Sequence, residues 1–358
     1  MSLHLHNNFT VAQPEALVMT TRNKTETIQQ FITENVDNNP NNILGVVSEL
    51  FGITRQAASH HIQTMLKSRV LVATGNGRAR TFALAHKQYK YTFKVNTKLN
   101  EHDVWTKAVV PHLVDLRENV REILAYSCAE MINNIIDHSR TKKFDIIVEF
   151  SSDTITVSIR DYGVGIFRKI QQKLQLPFPQ QAVLELAKGK FTTDPKRHSG
   201  EGIFFTSRMV DDFRIQSGGL VFSSQKNGRV DLAESVDLKG TSVFLKIKKN
   251  SRRTSKKVFD QYSVKPEEST FDRTYVPVQL AKFGDEFLVS RSQAKLLLTR
   301  FERFKEVVLD FTGVSSLGQA FADEIFRVFS IAHPDVSLTV VNVNSQVQQM
   351  INRAKRHY

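Results

Sequence analysis

Between residues 21 and 92, apolar positions recur at helical spacing in three short stretches, 25–35, 43–51 and 54–68. Repeats at i, i+3/i+4 predict amphipathic helices. The second and third are separated only by Gly52-Ile53, the tight turn of a helix-turn-helix. Thr54 suits an N-cap. Behind it Ala57, Ala58, Ile62, Met65 and Leu66 share one face, while Arg55, Gln56, Ser59, His60 and Gln63 occupy the other. Those polar residues are types that bond base edges and phosphates when a helix enters a major groove. Two β-like runs follow, 70–74 and 81–84, joined by a Gly-rich tip that carries Arg78 and Arg80. This hairpin predicts a wing.

A longer helical pattern spans 118–139, with Leu124, Cys128, Met131 and Ile135 as its apolar stripe. At 100° per residue, Glu130, Asn134 and Asp137 fall together on a neighbouring polar face. A carboxylate and a carboxamide one turn apart can jointly engage Mg²⁺ and its water. Runs 146–150 and 155–160 then read as strands, the second ending in Asp161-Tyr162-Gly163-Val164-Gly165. A carboxylate at a strand end can accept from an adenine amino group, and glycines permit close approach. Ser199-Gly200-Glu201-Gly202 precedes an apolar helix, 203–210, whose N-terminus can present N–H groups to phosphate. Gly240-Thr241 opens a further strand.

The order and spacing of these four elements over about 150 residues resemble the GHKL superfamily of gyrase, heat-shock chaperone, histidine kinase and mismatch-repair ATPases. The resemblance implies that Glu130 and Asn134 form the N box, with Asn134 the Mg²⁺ ligand, and that Asp161 binds adenine. It places Gly163 and Gly165 in the G1 box, Gly200 and Gly202 in the G2 box, and Thr241 near the base. The spacing of Glu130, Asn134 and His138 is most similar to the anti-sigma-factor serine kinases. Histidine kinases usually carry asparagine where Glu130 stands, which disfavours a two-component sensor. Glu130 would be the general base acting on water or on a protein hydroxyl. Residues 167–198, with Lys188, Lys190, Lys196 and Arg197, would be the ATP lid, and Lys190 a nucleotide contact. Residues 21–92 resemble bacterial winged-helix regulators. The run 309–327 resembles the STAS-like fold of anti-sigma-factor antagonists, whose phosphorylated serine is replaced here by Gln319 or Ala320; Ser315 and Ser316 lie just upstream. Asp323 and Glu324 read as first-turn helix charges favoured by the dipole.

Charge is distributed unevenly. Lys+Arg outnumber Asp+Glu by 10 to 5 in residues 1–94 and 27 to 20 in 95–264, but only 12 to 11 in 265–358. Anionic partners are therefore expected at the first two thirds. The basic run 246–257 suggests a solvated connector. No apolar run approaches the roughly 18–20 residues of a membrane span. The N-terminus lacks signal-peptide character and Cys128 stands alone, so a cytosolic protein with no internal disulfide is expected.

The expected fold class is multidomain α/β. It comprises a tail (1–20), an all-α winged helix with a β-hairpin wing (21–94), an α+β sandwich of GHKL (Bergerat) type (95–250), a basic linker (251–264) and a small α/β STAS-like domain (265–358). The function expected is an ATP- and Mg²⁺-binding, DNA-binding transcriptional regulator. The alternatives are a serine/threonine kinase and the ATPase component of a stress or phage-defence system. DNA, ATP and a protein docking on the STAS-like domain are the expected partners, with a homodimer left open.

Overall fold

The structure is a computed structural model that describes residues 21–85, 87–113, 116–151, 153–191, 200–225, 229–268, 270–282 and 287–356. The expected tail, 1–20, lies outside them. The chain forms two compact units, 1–86 and 87–358.

In the first unit three helices, α1 (Thr21–Asn35), α2 (Ile43–Phe51) and α3 (Arg55–Lys67), precede an antiparallel hairpin of β1 (Leu71–Thr74) and β2 (Thr81–Leu84). The Thr54 hydroxyl caps α3 by accepting the Ala57 N–H at 3.1 Å. Ile28, Ile32, Ile43, Val47, Ile62, Met65 and Phe82 close one small core. That core contains the apolar face of each helix, as the spacing predicts.

The second unit begins with β3 (Lys87–Lys94), which the sequence suggests belongs to the first domain. Its eight residues instead pair in full antiparallel register with β4 (Lys143–Phe150). Three helices and two strands follow β4: β5 (Thr154–Asp161), α6 (Ile166–Leu174), α7 (Pro179–Lys188), α8 (Gly202–Met209) and the long β6 (Asp212–Gln225). With β7 (Val230–Lys248) the sheet runs β3-β4-β5-β7-β6, antiparallel throughout. Against it lie α4 (Glu101–Ala108) and α5 (Glu118–Asn134), the latter continuing through a wider π-type turn, Ile135–Ser139. The predicted stripe Leu124, Cys128, Met131 and Ile135 is buried as expected.

The basic run is not a solvated connector. Lys246 and Lys248 belong to β7, and 255–261 form α9 (Ser255–Gln261). The Arg253 guanidinium donates to the Met209 and Val210 carbonyls at 2.7 and 2.6 Å, satisfying the C-terminal end of α8. Asn119 holds the Ser251 and Arg253 carbonyls.

The C-terminal part is a parallel three-stranded sheet, β10-β9-β8, made of β8 (Arg273–Pro277), β9 (Glu306–Asp310) and β10 (Ser337–Val341). Its helices are α10 (Arg291–Leu298), α11 (Gln319–Asp323), which widens into π turns at Glu324–Phe329 before α12 (Ser330–Ala332), and α13 (Ser345–Arg356). The strand expected near 287–290 is only an isolated bridge between Leu288 and Leu317. Asp323 and Glu324 lie beyond the first turn. Asp323 pairs with Arg327, and Arg291 approaches both carboxylates.

The two parts of this unit share one apolar core. A buried ionic cluster joins them as well. Glu185 and Lys188 of α7 are fully buried and meet at 2.6 Å, and Arg300 reaches the other Glu185 oxygen at 2.8 Å. The Lys188 ammonium also donates to the Leu296 and Thr299 carbonyls at 3.1 and 2.9 Å, while its own carbonyl accepts the Thr274 hydroxyl at 2.7 Å. Burial pushes the Lys188 amine down to about 8 against the pull of Glu185. Removing one member of such a cluster strands buried charge. Glu185→Leu is expected to cost about 3–5 kcal/mol in denaturant unfolding of the full chain, and the second change Lys188→Met to recover part of that loss.

Candidate functional site

Alternation along two neighbouring strands creates one end of the site. On β5, Asp161 continues the inward set Ile155, Val157 and Ile159; on β7, Thr241 begins the inward set Val243, Leu245 and Ile247. The register pairs Ile159 with Val243 and Arg160 with Ser242, so Asp161 and Thr241 become neighbours on the buried face. Asp161 is only 3% exposed. Its Oδ1 accepts the Gly163 N–H at 2.7 Å, and Thr241 bonds the carboxylate through both hydroxyl and N–H. Burial raises the Asp161 pKa, and these hydrogen bonds pull against the rise.

The end of α5 is locked against this strand end. The Ser139 carbonyl accepts the Val164 N–H at 2.9 Å. Gly163 passes so close to that carbonyl that any Cβ would collide with it. Ile166, the first residue of α6, donates its N–H to the Thr241 hydroxyl at 3.1 Å.

Between these elements lies a pocket of about 230 Å³. Of the residues singled out in the sequence, Glu130, Asn134, Asp161, Gly165, Gly200, Gly202 and Thr241 line it, and Gly163 supports it from behind. Apolar wall is supplied by Ile135, Ile159, Ile215 and Val243. Gly202, at the start of α8, leaves room for the Glu130 carboxylate, which a Cβ would strike. One turn before Glu130, the Tyr126 phenol is pushed far up, first by burial and then by the nearby Glu130 and Glu201 carboxylates.

Three expectations about the site change. Asp137 is exposed, and His138 lines the pocket in its place. The wider turn at Ile135–Ser139 advances less than 100° per residue, which rotates the third residue after Asn134 off the pocket face and leaves the fourth on it. Lys188 and Lys190 point away: Lys188 is in the buried cluster, and the Lys190 ammonium donates to the Arg303 carbonyl at 2.8 Å and lies over the Phe304 ring. Lys196 and Arg197 lie outside the described residues. Much of the expected lid is regular, since α6 and α7 occupy it. Among the described residues, the lysine that lines the pocket is Lys169, hidden in the sequence within that basic stretch.

In the first unit Arg55, Gln56 and His60 are exposed on α3 and Ser59 is half-buried. Arg80 is exposed with its guanidinium 5.3 Å from the Phe82 ring centre. The Arg78 side chain lies outside what is described. Near the C-terminal sheet, Ser315 is exposed and Ser316 half-buried, on a loop whose Val314 and Ser315 carbonyls accept from Asn344.

No helix among the described residues is long and apolar enough to cross a membrane. A comparison with curated proteins gave no match. Residues 99–223 match the family model of the histidine kinase-like ATPase domain, a stretch that holds Glu130, Asn134, Asp161 and both glycine pairs but ends before Thr241. Residues 293–348 match that of a STAS-like domain of unknown function. In one compact unit, the chain thus joins a histidine kinase-like ATPase domain to a STAS-like domain.

Proposed function

We propose that the pocket binds Mg-ATP with adenine on Asp161 and the phosphates running along α5 toward Glu130, and that the chain is an ATP-dependent regulator whose first unit binds DNA. The observation that carries the nucleotide assignment is the convergence of Glu130 and Asn134, Asp161, and Thr241 on one pocket from three separate stretches of sequence. Among the described residues no cluster of three His, Cys, Asp or Glu could hold a metal. That suits Mg²⁺, which keeps waters and phosphate oxygens and needs only one or two protein oxygens. Asn134 would supply one, and the ion would neutralise charge on the phosphates. Glu130 then takes the proton of the attacking hydroxyl or water.

The DNA assignment rests on the exposed Arg55, Gln56 and His60 of a capped helix after a tight turn, with Arg80 on the hairpin. This supports a winged helix whose third helix enters the major groove. Nucleotide occupancy would bias DNA affinity through a coupling of about 1–3 kcal/mol. A serine/threonine kinase is the second reading, favoured by a carboxylate base in the pocket and an exposed Ser315 on the STAS-like domain.

In calorimetry, Asp161→Asn is expected to weaken ATP binding by about 10- to 100-fold, the worth of a charge-assisted hydrogen bond. Because burial raises the Asp161 pKa, its ionised, accepting form is lost as pH falls at values above the usual carboxylate value of about 4. Wild-type affinity should therefore decline there, and that of the variant should not. Glu130→Gln is expected to leave ATP binding intact while cutting turnover by about 10²–10⁴. Labelled phosphate recovered free would indicate hydrolysis, and label on protein would indicate a kinase. Arg55→Ala and Arg80→Ala are expected to weaken DNA binding and flatten its salt dependence. DNA affinity unchanged by a non-hydrolysable ATP analogue would remove the coupling.

A further inference from the structure

A bound nucleoside polyphosphate brings several negative charges to a wall that already holds two carboxylates, Glu130 and Asp161. Two of the four cations expected to meet those charges, Lys188 and Lys190, are engaged elsewhere, and the other two, Lys196 and Arg197, lie outside the described residues. Among the described residues lining the pocket, Lys169 is the one lysine or arginine.

Its setting is that of a ligand contact more than of a structural brace. Lys169 is the fourth residue of α6, whose first turn carries no acid and whose N-cap, Gly165, provides no side-chain cap. A cation there adds to the positive end of the helix dipole instead of opposing it. Burial and the nearby Arg140 lower its pKa further, with only Asp137 acting the other way. The ammonium donates to the His138 carbonyl at 2.9 Å, one of its three N–H groups. Positive potential is thus concentrated on a half-buried group facing the cavity, an arrangement that an anion would relieve.

Position selects the part of the ligand. Along α5 and the turn after it, Glu130, Asn134 and His138 follow one another at roughly 6 Å per four residues. His138 adjoins Ser139, which is locked to the Asp161 strand end, whereas Glu130 lies at the far end beside Gly202. Lys169 is tied to the His138 carbonyl and so faces the stretch between base and Glu130.

We infer that Lys169 is a nucleotide-binding residue that contacts the phosphates next to the ribose, those shared by ADP and ATP. This rests on the nucleotide reading of the pocket.

The test is calorimetric titration of the full chain, wild type, Lys169→Met and Lys169→Arg, with adenosine, ADP and ATP. Lys169→Met is expected to weaken ADP and ATP by similar factors of about tenfold or more, to leave adenosine unchanged and to flatten the salt dependence of ADP binding. Lys169→Arg should retain most of the ADP affinity. ADP affinity unchanged in Lys169→Met would overturn the assignment. So would a loss confined to ATP, or an equal loss for adenosine, which would mark a packing role. A wild-type chain that binds none of the three overturns the nucleotide reading itself, whereas binding that is equal in wild type and Lys169→Met overturns only the role of the lysine.

Discussion

The candidate site depends on one close contact, the Ser139 carbonyl against Gly163 with its hydrogen bond from Val164. It fixes the end of α5 to the end of β5. It sets how closely the helix that carries Glu130 and Asn134 meets the strand that carries Asp161, within the core that they share. A side chain at 163 would push them apart, and the pocket would open at its Asp161 end. The remaining features follow from this junction: Ile166 bonds Thr241, α6 starts beside it, and Lys169 comes to lie under the last turn of the helix. Sheet register does the rest, because Asp161 and Thr241 are cross-strand neighbours by alternation alone.

What the sequence made legible was local or periodic. The stripe on α5, the cap at Thr54 and the strand reading of 155–160 are statements about spacing and local pattern, and the folded chain keeps them. The glycines of 161–165 and 200–202 were legible as places where something approaches closely, and what approaches at Gly163 and Gly202 is the chain itself. The pairing of Glu185 with Arg300 could not be read, since 115 residues separate them and each looks like an ordinary surface charge. The same holds for Arg253, which in sequence is one of seven cations within residues 246–257 and in the fold satisfies the end of α8.

Asp137 and His138 show a subtler limit. On a regular helix Asp137 and His138 both lie close to the Asn134 face, and the wider turn beginning at Ile135 carries Asp137 off it while keeping His138 on it. Nothing in the composition of Ile135–Ser139 announces that turn. Charge density misled in a related way: Lys188 serves the interior, Lys190 braces the Arg303 carbonyl, and Lys169, on the neighbouring helix, lines the cavity.

The buried cluster of Glu185, Lys188 and Arg300 bears on modularity. Separate family models cover the ATPase-like and STAS-like stretches, which invites treating them as interchangeable parts. The fold denies that independence, because the buried Glu185–Lys188 pair of α7 is completed by Arg300 and by two carbonyls of the other part. Cutting the chain between the two would leave the buried Glu185–Lys188 pair without Arg300 and without the Leu296 and Thr299 carbonyls, so neither half keeps the cluster complete. Any recombination of such modules must carry the matching arginine with it.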